Sequence, residues 1–326
     1  MHARAKELGL HGDPLLSERP GHLTELARDA ASEGRLIVVV GGDGTLNEVV
    51  NGIVGTNAEV AVLPNGTGQD FGRSHDIPTR FDDAVAVALN GVAREVDLGR
   101  ASFVAPDGTN ATRVFANVGS AGMSGAVAAR ANAGSKALGG RATFYYSLVR
   151  EFLAWENTDV TVSFGGGHRR GPMHDVIVAN GRWHGGGMKL APDAHPADGE
   201  FDIVLIGDVG KLDFVTTSPK LYNGGHVGHH KVEVVRSSHV EIDATDPIPL
   251  ELDGEVVTKS SLPTSPIRTM SNSPSAGCAS GASFIPPPCQ RPLATITSCI
   301  GPRRLPPSKP TVTSVFCQAR NSRTSA

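Results

Sequence analysis

Five consecutive apolar residues, Leu36-Ile37-Val38-Val39-Val40, run straight into Gly41-Gly42-Asp43-Gly44-Thr45 and then into the helical spacing of LNEVVNGIV. An apolar run of that length, rich in β-branched residues, reads as a strand buried on both faces. The glycines after it allow close backbone approach, and the first turn of the next helix leaves N–H groups free for an anion such as a phosphate. The unit is strand, glycine loop, helix. The same residues also make an ordinary tight turn, and the loop alone does not choose between the two.

A second unit follows the same grammar. Val60 to Pro64 is a short buried strand, NGTGQDFG a glycine-rich turn, and Phe81 to Asn90 an amphipathic helix ending at Gly91. Alternating β and α elements imply a parallel sheet, which takes ligands beyond the carboxyl ends of its strands, where both glycine loops fall. Asp43 would repel a phosphate unless it met a magnesium ion or held loop donors in place, so a metal-nucleotide is expected.

After about Asp97 the pattern changes. RVFANV, DVTVSF, DVIVAN, FDIVLI, KVEVV, HVEID and PLELD read as strands, and only two helical stretches, roughly 121–130 and 141–155, interrupt them. In the second of these, Tyr145 to Trp155 is apolar enough to pack a core or to contact a lipid. From Ser260 the chain changes again: its last 67 residues hold all four cysteines, 11 of the 22 prolines and no Asp or Glu. Without apolar periodicity such a segment does not offset its ordering entropy, so disorder is expected, and the abrupt shift reads as translation in another frame. The expected organisation is a nucleotide-binding α/β domain over 1–97, a β-rich domain over 98–259 and an atypical tail over 260–326.

Residues 1–259 carry a formal charge of −10 and the tail +7, too sparse for a polybasic membrane anchor. The acidic body argues against nonspecific nucleic-acid binding, which depends on Lys and Arg meeting phosphates. No apolar run approaches the ~18 residues of a membrane span. A body free of cysteine, with an opening MHARAKELGLHG unlike a signal peptide, places the chain in the cytoplasm.

Two later segments carry carboxylates. PDAHPADGEFD holds an Asp-Gly pair that signals a hairpin turn, and a carbonyl-rich turn also suits a hard cation. In Leu252-Asp253-Gly254-Glu255 two carboxylates flank a glycine between short strand-like runs. The histidines of GHVGHH lack the partners and spacing of a zinc site.

GGDGTLNEVVNG, LPNGTGQDFGRSHDIP, ANGRWHGGGMKLAPDAHPADGEFDIVLI and LELDGE, in that order between about Ser17 and Val257, resemble the diacylglycerol kinase catalytic family, which includes bacterial lipid kinases and sphingosine kinases. GGDGT alone is shared with NAD kinases and resembles a phosphofructokinase loop; the ordered set of four resembles the lipid-kinase branch. The resemblance implies a phosphofructokinase/NAD kinase-like α/β N-terminal domain, then a β-sandwich-rich C-terminal domain, with ATP in the cleft. It implies ATP contacts at Ser17, Gly41, Gly42, Asp43, Gly44, Thr45, Leu46, Asn47 and Thr67. It also implies a magnesium-associated segment, with the Asp198 carboxylate and the carbonyls of His195 and Glu200 on Mg2+. Glu255 becomes the base that takes the proton of the acceptor hydroxyl, and Asp253 orients it or joins a magnesium site.

The implied activity is ATP-dependent phosphorylation of a lipid hydroxyl at a membrane surface reached peripherally, with diacylglycerol converted to phosphatidic acid as the default; a homodimer is compatible with it. A soluble-substrate kinase of the NAD-kinase type and a nucleotide-binding fragment without activity stay open as alternatives. Two departures from the family pattern stand out. The family's first strand and Asn-Pro loop have no counterpart ahead of Ser17, and the strands expected after DGEVV give way to the atypical tail.

Overall fold

The computed structural model describes residues 1–66, 68–133, 140–258, 267–273, 295–298 and 314–319. The first ninety-odd residues form α1 (His2–Glu7), β1 (Gly12–Ser17), α2 (His22–Ser32), β2 (Leu36–Gly41), α3 (Asp43–Ile53), β3 (Glu59–Pro64), α4 (Asp70–Ser74), α5 (Phe81–Asn90) and β4 (Val92–Glu95). The middle of the chain supplies β5 (Leu98–Val104), β6 (Asn110–Phe115), β7 (Val118–Gly122), α6 (Met123–Ala133), α7 (Gly140–Ala154), β8 (Thr158–Phe164), β9 (Gly167–Ala179), β10 (Phe201–Gly207) and α8 (Lys211–Thr217). Then come β11 (Val232–Ser237), β12 (His239–Ala244), β13 (Leu250–Leu252) and β14 (Glu255–Thr258), followed by β15 (Ile267–Ser273), β16 (Thr295–Ser298) and β17 (Ser314–Ala319).

Two sheets organise these elements. The first has the order β1-β17-β2-β3-β16-β4 and is parallel except for β4 against β16. Its strand β2 is covered on both faces: Ile37 and Val39 pack against α2 and α3 residues such as Leu23, Val49 and Val50, and Val38 and Val40 face Ala84 and Val85 of α5. That two-sided burial explains the uninterrupted apolar run, each such side chain contributing roughly 1.5–3 kcal/mol on burial. The second sheet is antiparallel, with the main order β14-β13-β7-β9-β8-β12-β15-β5-β6 and β10 pairing β9 and β11. Its alternating residues meet in a core built around Phe115, Phe201, Ile203, Ile242, Leu250 and Leu252.

The tail departs from the expectation of disorder at three places. Residues 267–273, 295–298 and 314–319 are strands, the first in the second sheet and the others in the first. Each is a short stretch containing β-branched residues, enough for an edge-to-edge ladder even where no period marks a core face. The strand β17 fills the slot between β1 and β2, so the first sheet is continuous without a strand ahead of β1.

Helix α3 joins the two sheets. Asn51 donates from Nδ2 to the carbonyl of Val114 at 2.9 Å and accepts the Val114 N–H at 3.0 Å, as a neighbouring strand would. Among the described residues no helix is long and apolar enough to cross a membrane.

Candidate active site

The carboxyl ends of β2 and β3 are in register, Gly41 opposite Pro64, so both glycine loops start level at one edge of the sheet. They touch backbone to backbone: a Cβ on Gly66 would stand 2.7 Å from the Cα of Gly42, closer than any side chain tolerates. Asp43 locks them together, Oδ1 accepting the Phe71 N–H at 3.0 Å and Oδ2 the Asp70 N–H at 3.1 Å. Burial, with the Asp70 carboxylate adding to it, pushes Asp43 up to about 6. Of the two roles open to this carboxylate, holding the loop donors in place is the one its contacts supply.

Helix α3 begins at Asp43 with Gly42 as its cap, and the first N–H of this helix bonded back is that of Leu46, to the Gly42 carbonyl at 3.1 Å. The N–H groups of the first turn are thus presented at the sheet edge, where the helix dipole favours an anion. Leu46 itself is a core residue, 2% exposed. Ser17 ends β1, and its hydroxyl donates to the Arg19 carbonyl at 3.0 Å. Thr67 lies outside the described residues.

Asn47 is engaged within the protein. Fully buried, it donates from Nδ2 to the Val114 carbonyl at 3.1 Å and to Asp253 Oδ2 at 2.9 Å, and its Oδ1 accepts from Arg113 at 2.9 Å. Its side chain therefore holds the second sheet to α3.

Strands β13 and β14 form a hairpin whose two-residue turn is Asp253-Gly254, with φ of 51° and 88°. Both values lie in the left-handed region, the signature of a type I′ turn, in which Asp-Gly is a favoured pair. Asp253 is fully committed within the protein: Oδ1 accepts the N–H groups of Asn117 and Val118, at 2.9 and 3.0 Å, and Oδ2 accepts the Ala116 N–H at 2.8 Å besides Asn47. Burial raises its pKa against the pull of these donors. Its neighbour Glu255 is exposed and reaches the first glycine loop, where a Cβ on Gly44 would stand 2.9 Å from Glu255 Oε1. A carboxylate separated from that loop by 210 residues of sequence thus lies against the phosphate-accepting turn.

Behind the hairpin runs a buried polar chain. Glu251, fully buried, accepts from Ser120 Oγ at 2.9 Å, from the Gly254 N–H at 2.6 Å and from His184 Nε2 at 2.9 Å. Burial alone would lower His184, but the charge of Glu251 and the hydrogen bond to it hold it up at about 9. Two residues on, the Gly186 N–H donates to Asp70 Oδ2 at 2.7 Å, tying this loop to the second glycine loop. His184 also lines an apolar cavity between β9, α6, α7 and α8, walled by Met123, Val127, Leu148, Phe152, Ile177 and Leu190. The inner face of α7 thus serves both as core and as cavity wall, while Tyr146 and Leu153 point outward.

The segment expected to hold magnesium is elsewhere engaged. Asp198 is ion-paired with Arg236 and accepts the Glu200 N–H at 3.0 Å; Glu200 meets the same guanidinium at 3.2 Å, and His195 is exposed. Among the described residues no group of three or more His, Cys, Asp or Glu is placed to hold a metal ion.

Two roles escaped sequence reasoning. His184 was one of five histidines, with His195, His226, His229 and His230, weighed and set aside as zinc ligands, and nothing in ANGRWHGGGMKL announced its pairing with Glu251. Asp175, buried and accepting the Ser124 N–H at 2.8 Å, did carry a signal, an acid opening the otherwise apolar strand sequence DVIVAN.

Residues 1–101 match the family model "Diacylglycerol kinase catalytic domain", and residues 117–273 match "YegS C-terminal NAD kinase beta sandwich-like domain". A protein of Chromohalobacter salexigens named "Probable lipid kinase YegS-like" is 31% identical over 261 residues, covering 77% of this chain and 80% of its own. The diacylglycerol kinase of Bacillus subtilis is 29% identical over 240 residues, covering 72% of this chain and 76% of its own. The crystal structure of a diacylglycerol kinase from Bacillus anthracis superposes with a TM-score of 0.58 at 19% identity, over 87% of this chain and 84% of that one, a likeness of fold.

Proposed function

Because the chain belongs to the diacylglycerol kinase family of ATP-dependent lipid kinases, we propose that it transfers the γ-phosphate of MgATP to the hydroxyl of a lipid, with diacylglycerol as acceptor and phosphatidic acid as product. The observation that carries this reading is the placement of Glu255 Oε1 against Gly44 of the glycine loop. Phosphates seated on the N–H groups that open α3 would put the γ-phosphoryl group beside a carboxylate able to take a proton. As the acceptor oxygen bonds to phosphorus and the bond to ADP breaks, the hydroxyl proton passes to Glu255. Magnesium enters this scheme as the counter-ion of ATP, part of the substrate.

Asp253 and Asn47 act as positioning residues, fixing the hairpin so that Glu255 is set by rigid structure. The apolar cavity supports a lipid acceptor over a soluble one, since its polar end is joined through His184 and Glu251 to the Gly254 N–H, one residue from the base. The test is transfer of labelled γ-phosphate from MgATP to a panel of lipids in mixed micelles, with NAD as the soluble competitor. A labelled lipid product, lost in Glu255→Gln, is the expected result; labelled NADP with no labelled lipid would overturn the reading.

A further inference from the structure

Two neighbouring helices leave large apolar side chains in solvent. Of the eight such side chains exposed among the described residues, four stand on α7 and α8: Tyr146, Leu153, Leu212 at 85% exposure and Val215 at 67%. Apolar residues scattered singly over a surface are ordinary, but a cluster on adjoining helices marks a contact surface. The helices adjoin through their inner faces, where the rings of Phe152 and Phe214 stack with centroids 3.7 Å apart and Tyr145 Oη lies 3.2 Å from Ser218 Oγ. Tyr146, Arg150 and Leu153 share the outer stripe of α7 at i, i+4 and i+7, and Leu212 and Val215 share that of α8 at i and i+3.

Charge singles out the same face. Arg150, Lys211 and Lys220 are exposed and pair with no acid among the described residues. The acids of the two helices are engaged, Glu151 with Arg130 and Asp213 beside His229 Nε2 at 4.0 Å. Residues 1–259 carry −10 overall, so an anionic surface repels most of the molecule and favours the face whose unpaired charges are positive. Apolar side chains flanked by Lys and Arg suit the headgroup boundary of a bilayer, the apolar part sunk about 5–10 Å and the cations held at the level of lipid phosphates. A second copy docked through the same face would set these cations against their own counterparts, like charge against like.

We propose that the outer face of α7 and α8 docks the protein on an anionic lipid bilayer, with Tyr146, Leu153, Leu212 and Val215 entering the headgroup boundary. Arg150, Lys211 and Lys220 then meet lipid phosphates around them. The choice of a bilayer as partner rests on the lipid-kinase reading.

The experiment floats the full chain with phosphatidylcholine vesicles, with and without phosphatidylglycerol, in the absence of ATP and acceptor. The native chain is expected to bind, more tightly where phosphatidylglycerol is present. Leu212→Ser combined with Val215→Ser should weaken binding to both vesicles by about tenfold or more. Lys211→Glu combined with Lys220→Glu should abolish the preference for phosphatidylglycerol, as should high salt. All four positions are exposed, and unchanged urea midpoints would confirm that the fold is intact. Equal flotation of the native chain and the Leu212/Val215 variant overturns the proposal, as does a native chain that ignores phosphatidylglycerol vesicles. A native dimer that this variant turns into a monomer assigns the face to a second copy and overturns it too. Vesicle binding through this face with no labelled lipid in the kinase assay would sink the kinase reading and leave the docking face standing.

Discussion

The side-chain amide of Asn47 donates a 2.9 Å hydrogen bond to Oδ2 of Asp253 across 206 residues of sequence, fastening the helix behind the first glycine loop to the hairpin that carries Glu255. Asp253 accepts three further backbone donors from residues 116–118. An amide in its place would turn one acceptor into a donor facing donors. Asp253→Asn is expected to cost roughly 3 kcal/mol, read as a shift of the urea midpoint. Combined with Asn47→Ala in a double-mutant cycle it should show a coupling of about 1–3 kcal/mol, and additive losses would remove the clamp from the account.

Glu255 is an exposed side chain and the proposed base, so its removal should act on the chemistry. Glu255→Gln is expected to lower kcat by roughly 10²–10⁴ while ATP affinity stays near its native value. Gly44→Ala puts a methyl group 2.9 Å from Glu255 Oε1, close enough to displace that carboxylate, and should also depress kcat. Native turnover in either variant would contradict the placement of the base.

Stability should depend on pH through His184. Its folded pKa, about 9, lies above its ordinary 6.5, so the stabilisation from Glu251 is complete below pH 6.5 and is lost as pH rises through 9. Asp43 and Asp175 are raised acids, at about 6 and about 7, and their effect falls at lower pH, stability declining as each ionises. The window between pH 7 and 9 thus belongs to the His184–Glu251 pair. Urea midpoints should fall across it by an amount on the order of 3 kcal/mol, and Glu251→Gln should flatten the fall; a native profile already flat from pH 7 to 9.5 would count against the ion pair.

The tail strands make a further claim that truncation can test. A chain ending at Thr258 lacks β17, which separates β1 from β2, and β16, which separates β3 from β4. Amide exchange in residues 12–17 and 92–95 is expected to rise sharply while residues 173–179, paired within the second sheet, keep their protection. Unchanged exchange in residues 12–17 would mean that β1 does not depend on β17.

Local chemistry explains which parts were legible in the sequence. The apolar run at 36–40, the glycines after it and the Asp-Gly turn each announce themselves within a few residues, because backbone conformation is dictated by near neighbours. Strands such as DVTVSF and FDIVLI were readable for the same reason. The bond from Asn47 to Asp253 was not legible, because a polar residue in the first turns of a helix looks the same whether it faces a ligand or a partner two hundred residues away. The ion pair of Asp198 was not legible, because nothing in PDAHPADGEFD reveals the guanidinium of Arg236. The tail strands lacked the period of a core face, and their partners lie at the other end of the chain.

The position of β17 also bears on how such a protein is made. As the ribosome delivers residues 1–100, β1 and β2 emerge early, yet the strand that lies between them comes out only when residues 314–319 have been translated. Until then the parallel sheet has an open seam with unpaired edges on both sides, while the antiparallel sheet already has β7 to β14 with which to begin. Long-range pairing of this kind slows folding and prolongs exposure of apolar strand edges. The nascent chain is therefore a natural client for chaperones until its last strand arrives.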